Sequence, residues 1–208
     1  ANILFINMTI GINIDGVLRN YLEKFISTHK KYYKSEVKIE DIIDYDIEKY
    51  FSFEGDENME PSSFLKFSYE DCSLEIYGSA DEIEEYVVTK LNNFISNNQE
   101  KIKVKLLTRE CGRAIPSTLF FLSKTGSMCK NIKFVSSYED MWEECDILVT
   151  TFPKSLETKP KDKISVKVER HYNKKINSDY AVKTLTEFLE EEYINKIINT
   201  ETVEHKEL

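Results

Sequence analysis

Short segments in which apolar residues alternate with polar ones recur along the chain, and most of them end at a turn or at small polar residues. This alternation predicts strands over residues 9–14, 102–107, 132–136, 146–150 and 164–168. Between them, apolar residues recur at helical spacing, which predicts helices over residues 17–33, 39–51, 79–97, 116–124 and 178–198. Residues 52–75 carry Gly55, Pro61 and several serines and are predicted to be irregular.

The order of these elements predicts an α/β fold. From residue 102 onward strands and helices alternate, which is typical of a parallel sheet with helices on both faces. Residues 19–100 contain no predicted core strand, so we expect a mainly helical cap inserted after the first strand. The predicted core is Rossmann-like and consists of residues 1–18 and 101–208. Its functional edge should lie at the carboxyl ends of the strands.

Charge and composition narrow the class of protein. The 208-residue chain has a net charge of −9: residues 1–100 hold 9 basic and 20 acidic side chains, and residues 101–208 hold 19 and 17. An acidic first half argues against a nucleic-acid interface there, because phosphates must be met by lysine or arginine. No run approaches the roughly 18 apolar residues of a membrane span, and no secretory signal is visible, so we expect an intracellular protein. The four cysteines form no CxxC pair, which argues against a zinc site.

Four motifs in order resemble those of the haloacid dehalogenase (HAD) superfamily. Residues 10–18, IGINIDGVL, are similar to the first motif, a strand followed by Asp-x-Asp-Gly-Val-Leu. The segments LLT (106–108), DILVTTFP (146–153) and VERHYN (168–173) resemble the second motif, the fourth motif and the segment after the last core strand. The resemblance is closest to the small 5′(3′)-deoxyribonucleotidase-like branch found in bacteria and phages. It implies a Rossmann-like HAD core with a cap.

The same resemblance implies a particular chemistry. In the family, the first Asp attacks phosphorus, the second is the general acid and base, and a magnesium ion is held by the first Asp and an acidic pair of the fourth motif. This chain carries Asn13 at the nucleophile position and Thr150 and Thr151 at the acidic pair, while Asp15 and Thr108 remain. We therefore predict a degenerate site with no metal and no cofactor, in a pseudophosphatase that is not an enzyme.

The remaining residues of this site also have structural interpretations. Asp15, which precedes Gly16, can cap the following helix or stabilise the turn. Thr108 at a strand end can bond to the local backbone. Asn13 can replace a carboxylate of the same shape without a charge that needs neutralising.

The predicted function is that of a catalytically inactive structural or binding component of a larger, multi-copy protein assembly, with a phage neck or tail protein as the favoured setting. The alternatives are a residual 5′-nucleotidase or phosphatase and a nucleotide-binding sensor. The segment 154–175 carries eight basic against three acidic side chains and is a candidate partner-facing surface. Its basic residues are Lys154, Lys159, Lys161, Lys163, Lys167, Arg170, Lys174 and Lys175.

Overall fold

The computed structural model describes residues 8–204, so the outer ends of the predicted core, residues 1–7 and 205–208, lie outside the described residues. At its centre is a six-stranded sheet in the order β3-β2-β1-β4-β5-β6, in which all neighbours are parallel. The strands are β1 (Met8–Asn13), β2 (Ile102–Thr108), β3 (Ile132–Phe134), β4 (Ile147–Thr150), β5 (Ile164–Val168) and β6 (Tyr180–Val182). The predicted α/β class with a parallel sheet is confirmed.

The helical segments differ widely in length. The α-helices are α1 (Tyr21–Tyr33), α2 (Phe64–Lys66), α3 (Val87–Asn98), α4 (Ala114–Lys124), α5 (Pro153–Glu157), α6 (Leu185–Phe188) and α7 (Glu191–Glu204). Short 3-10 turns cover Ile39–Asp41, Ile47–Tyr50 and Glu139–Glu144, and π-type turns cover Phe67–Asp71 and Leu74–Gly78. Among residues 8–204, no helix combines the length and the apolar character needed to cross a membrane.

The predicted helix over residues 39–51 is wrong, because the segment forms only two short 3-10 turns. Aspartate side chains compete there for backbone N–H groups. Asp41 accepts a hydrogen bond from the backbone N–H of Lys38 at 2.9 Å, and Asp44 accepts one from that of Asp46 at 3.1 Å. These local bonds stabilise turns at the expense of a continuous helix.

Several other helical segments also differ from prediction. The helix expected from residue 79 begins at Val87, because Tyr86 adopts a left-handed conformation with φ of 60° and Glu82 accepts a hydrogen bond from the Val88 N–H at 2.8 Å. The segment 178–198 is not one helix but contains β6, α6 and the start of α7. Part of the segment predicted to be irregular is helical, since α2 and the following π-type turns begin at residue 64.

The apolar side chains form two large clusters. The first packs around the sheet and includes α3, whose Val88 and Leu91 are each 1% exposed. The second is mainly aromatic, comes largely from residues 21–77, and surrounds Phe25 of α1. The division into a core and a cap of residues 19–100 stays a prediction, although α3, which lies within that range, packs against the sheet.

Candidate functional site

Three strands of the sheet end side by side and bring the predicted site residues together. Asn13 is the last residue of β1, Thr108 of β2 and Thr150 of β4. Asn13 donates a hydrogen bond from Nδ2 to Thr150 Oγ1 at 3.3 Å, and it is 1% exposed. Its Oδ1 has no hydrogen-bond partner among the described residues. The structure therefore places Asn13, Thr108 and Thr150 at one edge of the sheet, with Asn13 and Thr150 in contact.

The turn after β1 places the next two site residues. Gly16 has φ of +80°, and a Cβ there would lie 2.5 Å from Thr151 Oγ1, so Thr151 packs against the turn. The Gly16 N–H donates to the carbonyl of Arg19 at 3.0 Å, and the Leu18 N–H donates to that of Ile14 at 2.9 Å. This tight turn directs the Asp15 carboxylate back toward the strand ends.

Arg19 belongs to the candidate site but was not predicted from the sequence. Its guanidinium is 0% exposed and donates from Nε to Asp15 Oδ1 at 2.6 Å and from Nη2 to Glu110 Oε1 at 3.0 Å. Nη1 donates to the Tyr77 carbonyl at 3.0 Å and to Thr118 Oγ1 at 2.9 Å. Burial alone would lower the pKa of Arg19, but the charges of Asp15 and Glu110 more than offset it and the pKa is raised. Arg19 is therefore a fixed buried cation.

Glu110 is the second residue that was missed, and it brings a second carboxyl group to the site. It is 5% exposed, accepts a hydrogen bond from the Thr108 hydroxyl and lies in hydrogen-bond contact with Asp15. Burial, followed by the charge of Asp15, raises the pKa of Glu110 well above its ordinary value. These surroundings favour the protonated form of Glu110, and both carboxyl groups lie against the Arg19 guanidinium. The Thr108 hydroxyl therefore donates to Glu110 and not to the local backbone.

A cavity of about 620 Å³ opens above the pair. Its buried floor contains Asn13, Asp15, Thr108 and Glu110. Its walls are aromatic and consist largely of Tyr21, Tyr45, Phe64, Tyr69, Tyr77, Tyr138 and Phe152. Tyr21 stacks on Tyr77 with ring centroids 5.3 Å apart, and Tyr45 meets Phe152 edge-on at 4.1 Å. The exposed mouth includes Asp46, Glu48, Arg109 and Cys111.

No known family profile matches the sequence, and no curated protein does. Solved structures match the fold. A protein from Burkholderia xenovorans LB400 described as a haloacid dehalogenase-like hydrolase aligns with a TM-score of 0.59 and 10% identity, over 90% of this chain and 98% of that one. This chain has a haloacid dehalogenase-like fold. A dehalogenase solved with an intermediate complex aligns with a TM-score of 0.55 and 11% identity, over 88% of this chain and 96% of that one.

This comparison contradicts the prediction that the chain is a pseudophosphatase and not an enzyme, because the proteins that share its fold are described as a hydrolase and a dehalogenase. The prediction counted only the carboxylates of the sequence motifs. The structure adds Glu110 beside Asp15, so the site holds a carboxyl pair that the motifs did not reveal. The closer likeness to the deoxyribonucleotidase-like branch stays a prediction.

The magnesium ion that the HAD resemblance implies does not fit the residues present. The part of the chain that the structure describes holds no group of three or more His, Cys, Asp or Glu side chains that could bind a metal. Asp15 and Glu110 both face the Arg19 guanidinium, and the neighbouring Asn13 and Thr150 are neutral. Hard divalent cations prefer several carboxylate oxygens. The chemistry of the site is therefore assigned to its own side chains.

The predicted basic surface is only partly a surface. Its eight residues comprise exposed Lys154, Lys161, Lys174 and Lys175, partly buried Lys159, Lys163 and Arg170, and buried Lys167. Lys167 is 6% exposed and donates to the Ile176 carbonyl at 2.8 Å, so it cannot face a partner. Arg170 donates to the Gly16 carbonyl at 3.0 Å and holds the turn below the site. A partner surface on the other lysines, the multi-copy assembly and the virion setting stay predictions.

Proposed function

We propose that this protein is a hydrolase whose acid–base machinery is the buried Asp15–Glu110 pair. The observation that carries the proposal is that Glu110, with its pKa raised by burial and by Asp15, touches the Asp15 carboxyl group on the floor of a cavity. Two adjacent carboxyl groups, in one of which the surroundings favour the protonated form, can provide a proton donor and a proton acceptor at one place. The HAD-like fold of described hydrolases supports this function.

The geometry suggests direct attack by water. The amide of Asn13 is a poor nucleophile and its Oδ1 is buried, so the attacking oxygen is assigned to a water molecule in the cavity. Asp15 takes one proton of that water while the oxygen of the water attacks the substrate. Glu110 gives its proton to the leaving group, so that one water is consumed and the bond to the leaving group breaks.

The pair then returns to its starting state without outside help. After the reaction Asp15 carries a proton and Glu110 has lost one, and the hydrogen bond between them allows the proton to pass back. Arg19 stays paired with both groups and keeps the negative charge within the pair in either state. Arg19 is therefore a positioning residue.

The test is a hydrolysis screen of the purified protein, with and without magnesium, against p-nitrophenyl acetate, p-nitrophenyl phosphate, deoxynucleoside monophosphates and chloroacetate. We expect turnover of at least one class. Asp15→Asn and Glu110→Gln should each reduce kcat by roughly 10²- to 10⁴-fold, as the loss of general acid–base catalysis does. Glu143→Gln, at an exposed carboxylate outside the cavity, is the matched control. Turnover that survives both site variants would refute the proposed roles, and no turnover in any class would refute the hydrolase.

A further inference from the structure

One wall of the cavity is a stack of three tyrosine rings. The ring of Tyr77 lies between those of Tyr21 and Tyr69, with ring centroids 5.3 Å and 5.8 Å apart and ring planes inclined by 19° and 26°. All three side chains line the cavity. These distances and angles are those at which aromatic rings attract one another. Tyr21, Tyr69 and Tyr77, the tyrosine stack, therefore form a continuous aromatic wall.

A second aromatic wall is built around Phe152. Its ring meets Tyr45 edge-on at 4.1 Å and lies 4.7 Å from the tilted ring of Tyr138, and these three side chains, the Phe152 group, line the same cavity. Among the described rings, no contact joins this group to the tyrosine stack. The two walls still face each other, because burial is the main cause of the raised pKa of Tyr69, and Glu110 and the Tyr138 hydroxyl add to it.

Both walls stand over the carboxyl pair on the floor. Burial is the largest cause of the raised pKa of Tyr21 and of Tyr45, one from each wall, and the charge of Asp15 contributes to both. The buried floor holds no basic side chain among the described residues, and the basic residue that lines the cavity, Arg109, is exposed at its mouth. A negatively charged reacting group would therefore meet two carboxyl groups with no buried cation open to it.

We infer that the substrate is an uncharged molecule with a planar aromatic ring, which lies between the tyrosine stack and the Phe152 group while the reacting bond lies over Asp15 and Glu110. The inference rests on the proposed hydrolase. The cavity of about 620 Å³ falls within the range of roughly 300–1,000 Å³ that is usual for small-molecule sites. A planar ring gains from stacked and edge-on contacts with such walls in addition to the burial of its area.

Binding can be tested separately from hydrolysis with three probes of similar shape. 2-Naphthylmethanol is aromatic and neutral, decahydro-2-naphthylmethanol is its saturated counterpart, and 2-naphthylmethylphosphonate is aromatic and negatively charged. Calorimetric titration of the full chain should give the tightest binding for the aromatic alcohol. The double variant Tyr69→Leu, Tyr138→Leu, which removes one partly buried ring from each wall, should weaken this binding by roughly threefold to tenfold and leave the saturated alcohol nearly unchanged.

Two further double variants serve as comparisons. Tyr69→Phe with Tyr138→Phe keeps both rings and should recover most of the affinity that the leucine variant loses. Tyr50→Leu with Tyr180→Leu is the matched control, because both are partly buried tyrosines that do not line the cavity. The inference would be overturned by a saturated alcohol or a phosphonate that binds as tightly as the aromatic alcohol, by indifference to the leucine variant, or by an equal loss in the phenylalanine variant.

The two proposals can fail separately. Asp15→Asn and Glu110→Gln keep both walls, so the aromatic alcohol should still bind to them when hydrolysis is lost. Selective binding of the aromatic alcohol by a protein that hydrolyses nothing would overturn the proposed hydrolase and leave the aromatic site standing. Hydrolysis by a protein that does not distinguish the aromatic from the saturated alcohol would overturn the aromatic site alone.

Discussion

Replacing Arg19 by methionine tests whether this buried cation holds the site together. Methionine keeps much of the apolar stem but removes the donors to Asp15, Glu110, the Tyr77 carbonyl and Thr118. Removing one partner of a buried ion pair costs about 3–5 kcal/mol, because the other charge is left without compensation. For a chain of this length, that loss corresponds to a fall in Tm of roughly 6–20 °C.

Urea unfolding followed by circular dichroism measures the loss, and a double-mutant cycle assigns it. Asp15→Asn alone removes the ion pair at Arg19 Nε and leaves Glu110 as the only acidic partner of Arg19 among the described residues, so it should also be strongly destabilising. The double variant Arg19→Met with Asp15→Asn removes both members of that ion pair. We expect the double variant to lose about 1–3 kcal/mol less free energy of unfolding than the sum of the losses of the two single variants. Arg113→Met, at an exposed arginine near the start of α4, should change the free energy of unfolding by less than about 0.5 kcal/mol. Additive losses, or a loss below about 1 kcal/mol for Arg19→Met, would refute the reasoning.

Three further predictions concern the pH dependence of stability and the turn at Gly16. Because the pKa of Glu110 is raised in the folded protein, Glu110 contributes fully to stability below its unfolded pKa of 4.5, and this contribution is lost as the pH rises through the folded pKa. Glu110→Gln should remove this loss of stability with rising pH, measured as urea unfolding midpoints from about pH 5 to pH 9. Burial lowers the pKa of His29 below 6.5, so the contribution of His29 to stability is present above pH 6.5 and is lost as the pH falls below 6.5. His29→Gln should therefore flatten the acid side of a plot of Tm against pH. In urea unfolding, Gly16→Ala should lower the free energy of unfolding by roughly 1–3 kcal/mol more than Gly126→Ala, because both glycines have positive φ but only at Gly16 would a Cβ meet Thr151. Equal losses of stability would contradict this packing.

The sequence predicted the parts of the fold that depend on local pattern. The alternation of apolar residues located five of the six strands, and the rule that parallel strands end at one edge brought Asn13, Thr108 and Thr150 together. The missed strand, β6, has only three residues and pairs with one neighbour, so its pattern is too short to recognise. The segment 39–51 was mistaken for a helix because its side-chain-to-backbone bonds do not show in its apolar spacing.

The residues that define the site chemically were harder to find, because their contacts span long distances along the chain. Arg19 meets Glu110 across 91 positions and Thr118 across 99 positions, and neither separation leaves a local pattern. One signal was available: Glu110 follows the end of β2 by two residues, at the functional edge of a parallel sheet. Lys167 was wrongly placed on the predicted basic surface for a related reason, since it lies in a strand whose residues are all buried and donates inside the fold.

The neutral residues at the strand ends are consistent with the charge balance of the site. Asn13, Thr150 and Thr151 are each at most 1% exposed, and a carboxylate at any of them would add a buried negative charge. Arg19 already pairs with both Asp15 and Glu110, so an added carboxylate would have no counterion of its own among the described side chains at this edge. Burying an uncompensated charge is costly enough that the group takes up a proton instead. Amide and hydroxyl groups therefore allow the pair to stay in a poorly solvated position, and that position is the largest cause of the raised pKa of Glu110.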